Sequence, residues 1–207
     1  MKSRFGLLIG SLALYCLFVF PIACTEESKE KTVSKEVTIP DPVENPIEKG
    51  AYLVLAGGCN DCHSPKIMTP AGPILDTTRL LSGHQAGSAL AAITYDATKP
   101  GNWVLFSPDL TVAVGPWGIT YSANLTPDST TGLGTWTEEN FIQSLRTGKH
   151  MGLASGRPIL PPMPWQSVGK LKEEDLKLMF AYLKSIPAIK NEVPANVTPN
   201  EIQRLKK

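Results

Sequence analysis

The sequence has few of the residues that most catalytic and metal sites require. It contains three histidines and four cysteines in 207 residues. Acid–base machinery is hard to assemble from so few histidines, and no catalytic dyad or triad is visible. We therefore expect the chain not to be an enzyme. A structural zinc site commonly uses two Cys pairs, or a Cys pair with a His pair, and the sequence has no second pair of either kind.

The chain also lacks an excess of charge of either sign. It has 20 Lys and Arg residues and 19 Asp and Glu residues, which gives a formal net charge of +1 at pH 7. Without Lys2 and Arg4 of the N-terminal segment, 18 basic residues face 19 acidic ones and the net charge is −1. Such a balance offers no surface for a polyanion, so nucleic acid is not an expected partner.

Proline and glycine, in contrast, are abundant, with 18 and 17 residues. This composition implies extended loops wrapped around a cofactor rather than a bundle made of helices alone. A small domain of that kind needs stabilisation beyond its own apolar core, and a large apolar group bound covalently can supply much of that core.

The stretch Cys59-Asn60-Asp61-Cys62-His63 is the strongest signal in the chain. Two thiols separated by two residues can reach the two vinyl groups on one edge of a porphyrin, and the next residue then lies under the iron. We therefore predict one c-type haem attached covalently through Cys59 and Cys62, with His63 as the proximal iron ligand. A redox dithiol of the thioredoxin type and a zinc site remain alternatives, although the dithiol would want a preceding β-strand and the zinc site further ligands.

The first 23 residues predict export. Two basic residues precede an apolar run over residues 5–23, which is typical of a secretory signal and long enough for an uncleaved membrane helix. Residues 20–24 resemble the lipobox of bacterial lipoproteins, except that Pro21 stands where that family usually has Leu. The resemblance implies a lipid anchor at Cys24. A lipid anchor at Cys24 and an uncleaved membrane helix would both leave the rest of the chain tethered outside the cytoplasmic membrane, in the periplasm.

Composition divides the exported part into three segments. Residues 24–45 are polar and charged and then punctuated by proline, which predicts a flexible linker. Residues 46–190 are expected to hold the haem domain. Residues 191–207 are expected to form a short, loosely held C-terminal tail.

Helical patterns lie at both ends of the haem domain. Pro46–Ala56 has Pro in its first turn and apolar residues at helical spacing. Thr137 is a suitable N-cap for a helix over Glu138–Thr147. A third helix is predicted over Glu173–Ser185, where apolar residues recur at i, i+3, i+4 and i+7.

Between the Cys pair and the later helices lies a long segment, residues 66–131, with no strong helical period. Its β-prone runs at residues 103–106, 110–114 and 119–125 are separated by turn residues, which predicts a small antiparallel ribbon beside the haem. The expected fold class is therefore mainly α with a long loop and β-ribbon insertion. We expect this insertion to shield a haem edge from water rather than to form a substrate site.

An electron-transfer haem usually takes Met or His as its second axial ligand. Met163 is favoured because prolines stiffen the loop over residues 160–165 and would present the sulfur at little ordering cost. Met151 is its nearest rival. Four further candidates are less suited, for reasons of spacing, core packing or polar surroundings: Met68, Met179, His84 and His150.

Together these features resemble monohaem cytochrome c domains with Met and His as axial ligands. The resemblance covers residues 46–190 and rests on the Gly-containing first helix, the Cys-x-x-Cys-His motif, the Met in a Pro-rich loop and the closing helix. It implies a cytochrome c fold around one haem, in which the first and last helices cross and a small residue packs against an aromatic one. Gly50, Tyr52 and Tyr182 occupy the matching positions.

A narrower likeness is to the cytochrome subunits and standalone cytochromes that partner periplasmic or membrane dehydrogenases. It rests on four stretches, at residues 124–128, 131–137, 145–149 and 161–165. Such subunits often carry two or three haem motifs, whereas this chain has one.

The expected function is electron transfer. The chain would pass one electron between periplasmic or membrane redox partners, with the iron alternating between Fe(III) and Fe(II). The alternative is a haem protein with an open or exchangeable sixth site, acting as a small-ligand sensor or a weak peroxidase.

Overall fold

The structure, a computed structural model, describes residues 45–90, 99 and 103–204. The predicted leader, Cys24 and the linker up to residue 44 lie outside the described residues, as does most of the segment from 91 to 102. The described part forms six α-helices: α1 (Pro46–Ala56), α2 (Cys59–His63), α3 (Glu138–Thr147), α4 (Trp165–Val168), α5 (Glu173–Ser185) and α6 (Pro199–Arg204). It also forms five short strands: β1 (Lys66–Thr69), β2 (Gly72–Leu75), β3 (Leu105–Phe106), β4 (Val112–Gly115) and β5 (Gly118–Tyr121).

Helix α1 begins and ends where the sequence predicts. The side chain of Asn45 accepts a hydrogen bond from the backbone N–H of Ile47, 3.0 Å away, and Pro46 occupies a first-turn position where its missing N–H is not needed. At the other end the N–H of Gly57 donates to the carbonyl of Leu53. Local capping therefore defines both ends of the helix that leads into the Cys pair.

Helices α1 and α5 cross at Gly50. A Cβ atom on this glycine would collide with the backbone carbonyl of Leu178 and would lie 2.9 Å from the Cβ of Tyr182. The crossing and the contact between Gly50 and Tyr182 agree with the expected helix pair. Tyr52 does not take part, since it lies on the outer face of α1 and is 67% exposed.

Helices α3 and α5 also have the predicted bounds. Thr137 and Asn140 form a capping box, in which each side chain accepts a hydrogen bond from the other residue's backbone N–H (3.1 and 3.2 Å). Gly148, with φ of +68°, ends α3. Lys172 precedes α5 and offers no capping side chain. The acidic residues in the first turn of α5 instead complement the positive end of the helix dipole.

One apolar cluster holds these helices together. Met179 is 2% exposed within it and fills the core, the role expected for this methionine. The buried members of the cluster are Val54, Leu81, Leu133, Phe141, Ile142, Leu145, Leu176, Met179, Phe180 and Leu183.

The β-strands form two separate small sheets. Strands β3, β4 and β5 make an antiparallel sheet in that order, which confirms the predicted ribbon. Strand β4 is buried along its whole length and packs in a second apolar cluster with β5 and Ile202. Strands β1 and β2 form an additional antiparallel hairpin directly after the Cys pair, which the sequence pattern did not predict.

The expectation of a loosely held C-terminal tail is wrong for the described residues. Val197 and Ile119 exchange two backbone hydrogen bonds, of 2.8 and 3.0 Å, and so add a bridge to the edge of β5. Ile202 is only 4% exposed. The side-chain amide of Asn191 donates to the carbonyls of Ser82 and His84. This segment therefore fastens the ribbon to the rest of the fold.

The fold is mixed rather than clearly mainly α, because helices and two small sheets share the described residues. The expected fold class is thus confirmed only in part. None of the helices within residues 45–90 and 103–204 is long and apolar enough to span a membrane.

Candidate functional site

The Cys pair lies on the short helix α2. Gly58, with φ of +67°, reverses the chain between α1 and α2, and a Cβ at this position would lie 3.1 Å from the carboxylate of Asp61. Cys59 and Cys62 are three residues apart on α2 and therefore project from the same side. Both thiols are unpaired and partly exposed. Cys59 also packs against the main apolar cluster.

The thiols lack the acidity of a redox-active dithiol. Burial raises the pKa of Cys59 to about 11. Burial also raises the pKa of Cys62, although the charge of Lys66 acts in the opposite direction. Thioredoxin-type cysteines have a lowered pKa, so these shifts do not match a redox-active dithiol.

His63 is oriented by a backbone carbonyl. Its Nδ1 lies 2.8 Å from the carbonyl oxygen of Ala123, and because a carbonyl can only accept, Nδ1 carries the proton and Nε2 keeps its lone pair. Burial lowers the pKa of His63, and the hydrogen bond to Ala123 partly offsets this effect. The acceptor is a backbone carbonyl that lies sixty residues after the histidine.

A buried asparagine holds the segment that carries this carbonyl. Asn124 donates through Nδ2 to the carbonyl of Ile189 (2.7 Å) and to the hydroxyl of Thr131 (3.1 Å). Its Oδ1 accepts from the backbone N–H and the hydroxyl of Thr126 (2.9 and 2.7 Å). The position of Ala123 is therefore set by contacts to the loop before α3 and to the C-terminal segment.

The loop over residues 81–83 holds the backbone around His63. The N–H of Gly83 donates to the carbonyl of His63 (2.7 Å), and the N–H of Leu81 donates to the hydroxyl of Ser64 (2.8 Å). Gly83 has φ of +78°, and a Cβ there would lie 2.6 Å from the backbone of Ala123. A glycine is required at position 83 because its backbone packs directly against the backbone at Ala123, which bonds to His63.

Met163 lies in the loop that leads into α4. It is partly buried and packs against the same apolar cluster as Cys59, together with Trp136 and Trp165. Its rival Met151 has a left-handed backbone, with φ of +57°, and is also partly buried.

The remaining candidate ligands have other surroundings. Met68 is 59% exposed on β1. The ring of His150 lies edge to face with that of Trp136, with centroids 5.1 Å apart. His84, expected in a polar loop, is only 3% exposed, and its Nδ1 lies 2.8 Å from the hydroxyl of Thr111.

These residues form a donor set that fits a covalently attached haem. Cys59 and Cys62 offer two free thiols on one side of a helix. His63 offers an imidazole whose Nδ1 is hydrogen-bonded to Ala123 and whose Nε2 is available. Met163 offers a thioether on the apolar cluster that Cys59 also contacts. Sequence reasoning missed Ala123 and Asn124 as supports of the imidazole, because no local pattern connects residues so far apart.

Comparison with known proteins places the chain beside subunits of dehydrogenases. It is 36% identical over 150 residues to a nicotinate dehydrogenase subunit from Pseudomonas putida, a match that covers 72% of this chain and 9% of that protein. It is 28% identical over 154 residues to the fructose dehydrogenase cytochrome subunit of Gluconobacter japonicus, a match that covers 72% of this chain and 24% of that protein. It is 29% identical over 136 residues to the gluconate 2-dehydrogenase cytochrome c subunit of Pantoea cypripedii, covering 66% and 22%.

The chain thus spans less than a quarter of the length of each of these three curated relatives. No family model matches it. The expected resemblance is confirmed: the chain resembles the cytochrome c subunits of dehydrogenase complexes.

Proposed function

We propose that this chain is a monohaem cytochrome c that transfers single electrons. Cys59 and Cys62 would carry the haem, and His63 and Met163 would bind its iron. The single observation behind this proposal is the pairing of two free thiols with an imidazole whose Nδ1–H is held by the carbonyl of Ala123. The names of the relatives support electron transfer as the general function.

The bound haem would supply the redox chemistry, since its iron exchanges one electron between Fe(III) and Fe(II). The chain would supply ligation and surroundings. Ala123 keeps His63 in the tautomer that binds iron through Nε2. The thioether of Met163 would be a soft ligand, which would favour Fe(II) and so raise the reduction potential. The apolar cluster around Cys59 would limit the access of water.

The position in the cell is part of the same proposal. Residues 1–23 would be a lipoprotein signal, Cys24 would carry the lipid, and residues 24–45 would link the anchor to a haem domain over residues 46–190. The protein would then work in the periplasm, tethered to a membrane. The relatives are named as subunits of dehydrogenases, so we propose a dehydrogenase as one redox partner, with this chain as carrier and not as catalytic subunit.

The direct test is covalent haem attachment. The full chain is expressed in a bacterial host with the c-type haem maturation system, and membranes are separated on a denaturing gel and stained for haem peroxidase activity. We expect a stained band whose mass exceeds that of the processed polypeptide by one haem. The variant with both Cys59→Ser and Cys62→Ser should show no stain, whereas Met151→Leu should keep it. A folded wild-type protein without stain or iron would contradict the proposal.

A further inference from the structure

We propose that Lys66 is a positioning residue that holds a positive charge against the haem-attachment helix and thereby raises the reduction potential of the iron. The inference rests on the haem site proposed above. Lys66 is the first residue of β1 and lies three positions after His63. It is partly buried, unlike most surface lysines.

The ammonium group of Lys66 donates to three backbone carbonyls. Its Nζ lies 2.5 Å from the carbonyl oxygen of Asp61, 2.6 Å from that of Asp109 and 3.3 Å from that of Ser64. An ammonium has three donor protons, so these acceptors use its whole capacity. The positive charge is therefore held in one position by these three hydrogen bonds.

Two of these carbonyls belong to the candidate haem site. Asp61 lies between the two cysteines on α2, and Ser64 follows His63 directly. The last carbonyls of a helix have no partner within the helix, and a cation placed there satisfies them and complements the negative end of the helix dipole. Lys66 thus stabilises the C-terminal end of the helix that ends at His63.

The third carbonyl ties α2 to the ribbon. Asp109 lies in the turn between β3 and β4, where its carboxylate accepts hydrogen bonds from the hydroxyls of Ser107 (2.6 Å) and Thr111 (2.7 Å). The hydroxyl of Thr111 in turn accepts from Nδ1 of His84. The ammonium is therefore held from the ribbon side by a turn that is itself fixed by hydrogen bonds.

The ammonium of Lys66 bonds to backbone carbonyl oxygens and not to a carboxylate. Within the described ranges, none of the ion pairs involves Lys66. Carbonyl dipoles solvate the ammonium but leave its net charge in place.

A fixed positive charge beside the site acts unequally on the two redox states. The oxidised iron carries one more positive charge than the reduced iron, so a neighbouring ammonium disfavours Fe(III). Because Lys66 is partly buried, salt screens this repulsion less than it would at an open surface. Removal of the charge should therefore lower the reduction potential.

The experiment measures the midpoint potential of the purified full-length holoprotein by optical titration against redox mediators. The variants are Lys66→Met, Lys66→Gln and Lys66→Arg, with Lys190→Met as control. Lys190 is exposed and belongs to neither α2 nor β1, so its replacement removes the same net charge at a different surface position. Covalent haem per chain and the thermal unfolding midpoint are measured in parallel.

We expect the potential to fall in Lys66→Met and Lys66→Gln, to stay near the wild-type value in Lys66→Arg, and to stay unchanged in Lys190→Met. An equal fall in Lys66→Arg and Lys66→Met would overturn the proposal, since the charge would then not be the cause. Failure of both neutral variants to take up haem would also overturn it, by assigning Lys66 a role in folding alone. A wild-type chain without haem would instead overturn the proposed function.

Discussion

The imidazole of His63 donates its Nδ1 proton to the backbone carbonyl of Ala123, a residue sixty positions further along the chain. This bond fixes the ring plane and leaves Nε2 as the only nitrogen that can bind a metal. A backbone carbonyl cannot be replaced by mutation. The side chain of the next residue, Asn124, holds it in place and provides the means to test its importance.

Asn124→Ala should destabilise the fold. The change leaves the N–H of Thr126 without its buried side-chain acceptor and removes one of the two side-chain donors to the carbonyl of Ile189, which costs about 1–3 kcal/mol in the free energy of unfolding. Denaturant titration of the haem-loaded protein measures this loss. Asn200→Ala, at an exposed position in α6, is the control and should change stability by less than about 0.5 kcal/mol. Equal stabilities of the two variants would contradict the role of Asn124.

Met163→Leu should alter the optical spectrum of the loaded protein. A leucine of similar volume cannot bind iron, so the weak long-wavelength band from sulfur to Fe(III) should disappear and the reduction potential should fall. Carbon monoxide should then bind readily to the reduced protein. Met151→Leu is the matched control and should retain the band. Loss of the band in Met151→Leu and its persistence in Met163→Leu would transfer the ligand role to Met151.

Gly50→Ala separates helix propensity from packing. In a free helix this substitution adds about 0.5–1 kcal/mol of stability, because glycine loses more backbone entropy than alanine. Here the new Cβ would meet the carbonyl of Leu178 at the crossing with α5. We therefore expect a net loss of about 1–3 kcal/mol, as for other overpacked contacts. A rise in the thermal unfolding midpoint of Gly50→Ala would contradict this expectation, because it would show that the crossing accommodates the extra methyl group without a net cost.

Asp128 should make stability depend on pH in the acid range. The hydroxyls of Thr131 and Thr130, together with their backbone N–H groups, lower the pKa of this carboxyl from 3.8 to about 2. Since the folded pKa lies below the unfolded one, the contribution to stability is full above pH 3.8 and is lost as the pH falls towards 2.

Unfolding curves of wild type and Asp128→Asn between pH 5 and pH 2 would measure this effect. The difference in stability between the two proteins should shrink towards the acid end. Thr131→Val removes one hydroxyl donor and should weaken the pH dependence in the same direction. Parallel curves for all three proteins would contradict the assignment.

The sequence predicts those parts of the fold that depend on neighbours along the chain. Pro46–Ala56, Glu138–Thr147 and Glu173–Ser185 are helices with the expected bounds because caps and apolar periodicity act within a few residues. The β-ribbon follows from its β-prone runs and turn residues in the same way.

The features that the sequence does not predict are contacts between distant segments. The acceptor at Ala123, the three carbonyls around Lys66 and the buried position of His84 depend on tertiary packing, which no local pattern encodes. The anchoring of Ile202 was missed for a related reason, since a single apolar residue in a polar segment gives no periodic signal. The assignment of Cys59, Cys62, His63 and Met163 to a haem stays a prediction.

The crossing of α1 and α5 has a consequence for the order of maturation. These two helices lie far apart along the chain, so their contact at Gly50 cannot form until α5 has been synthesised. If export begins at the N-terminus as proposed, the thiols of α2 emerge into the periplasm while the core beside them is still open. An attachment enzyme would therefore reach Cys59 before the last helix closes over the cluster that partly covers it.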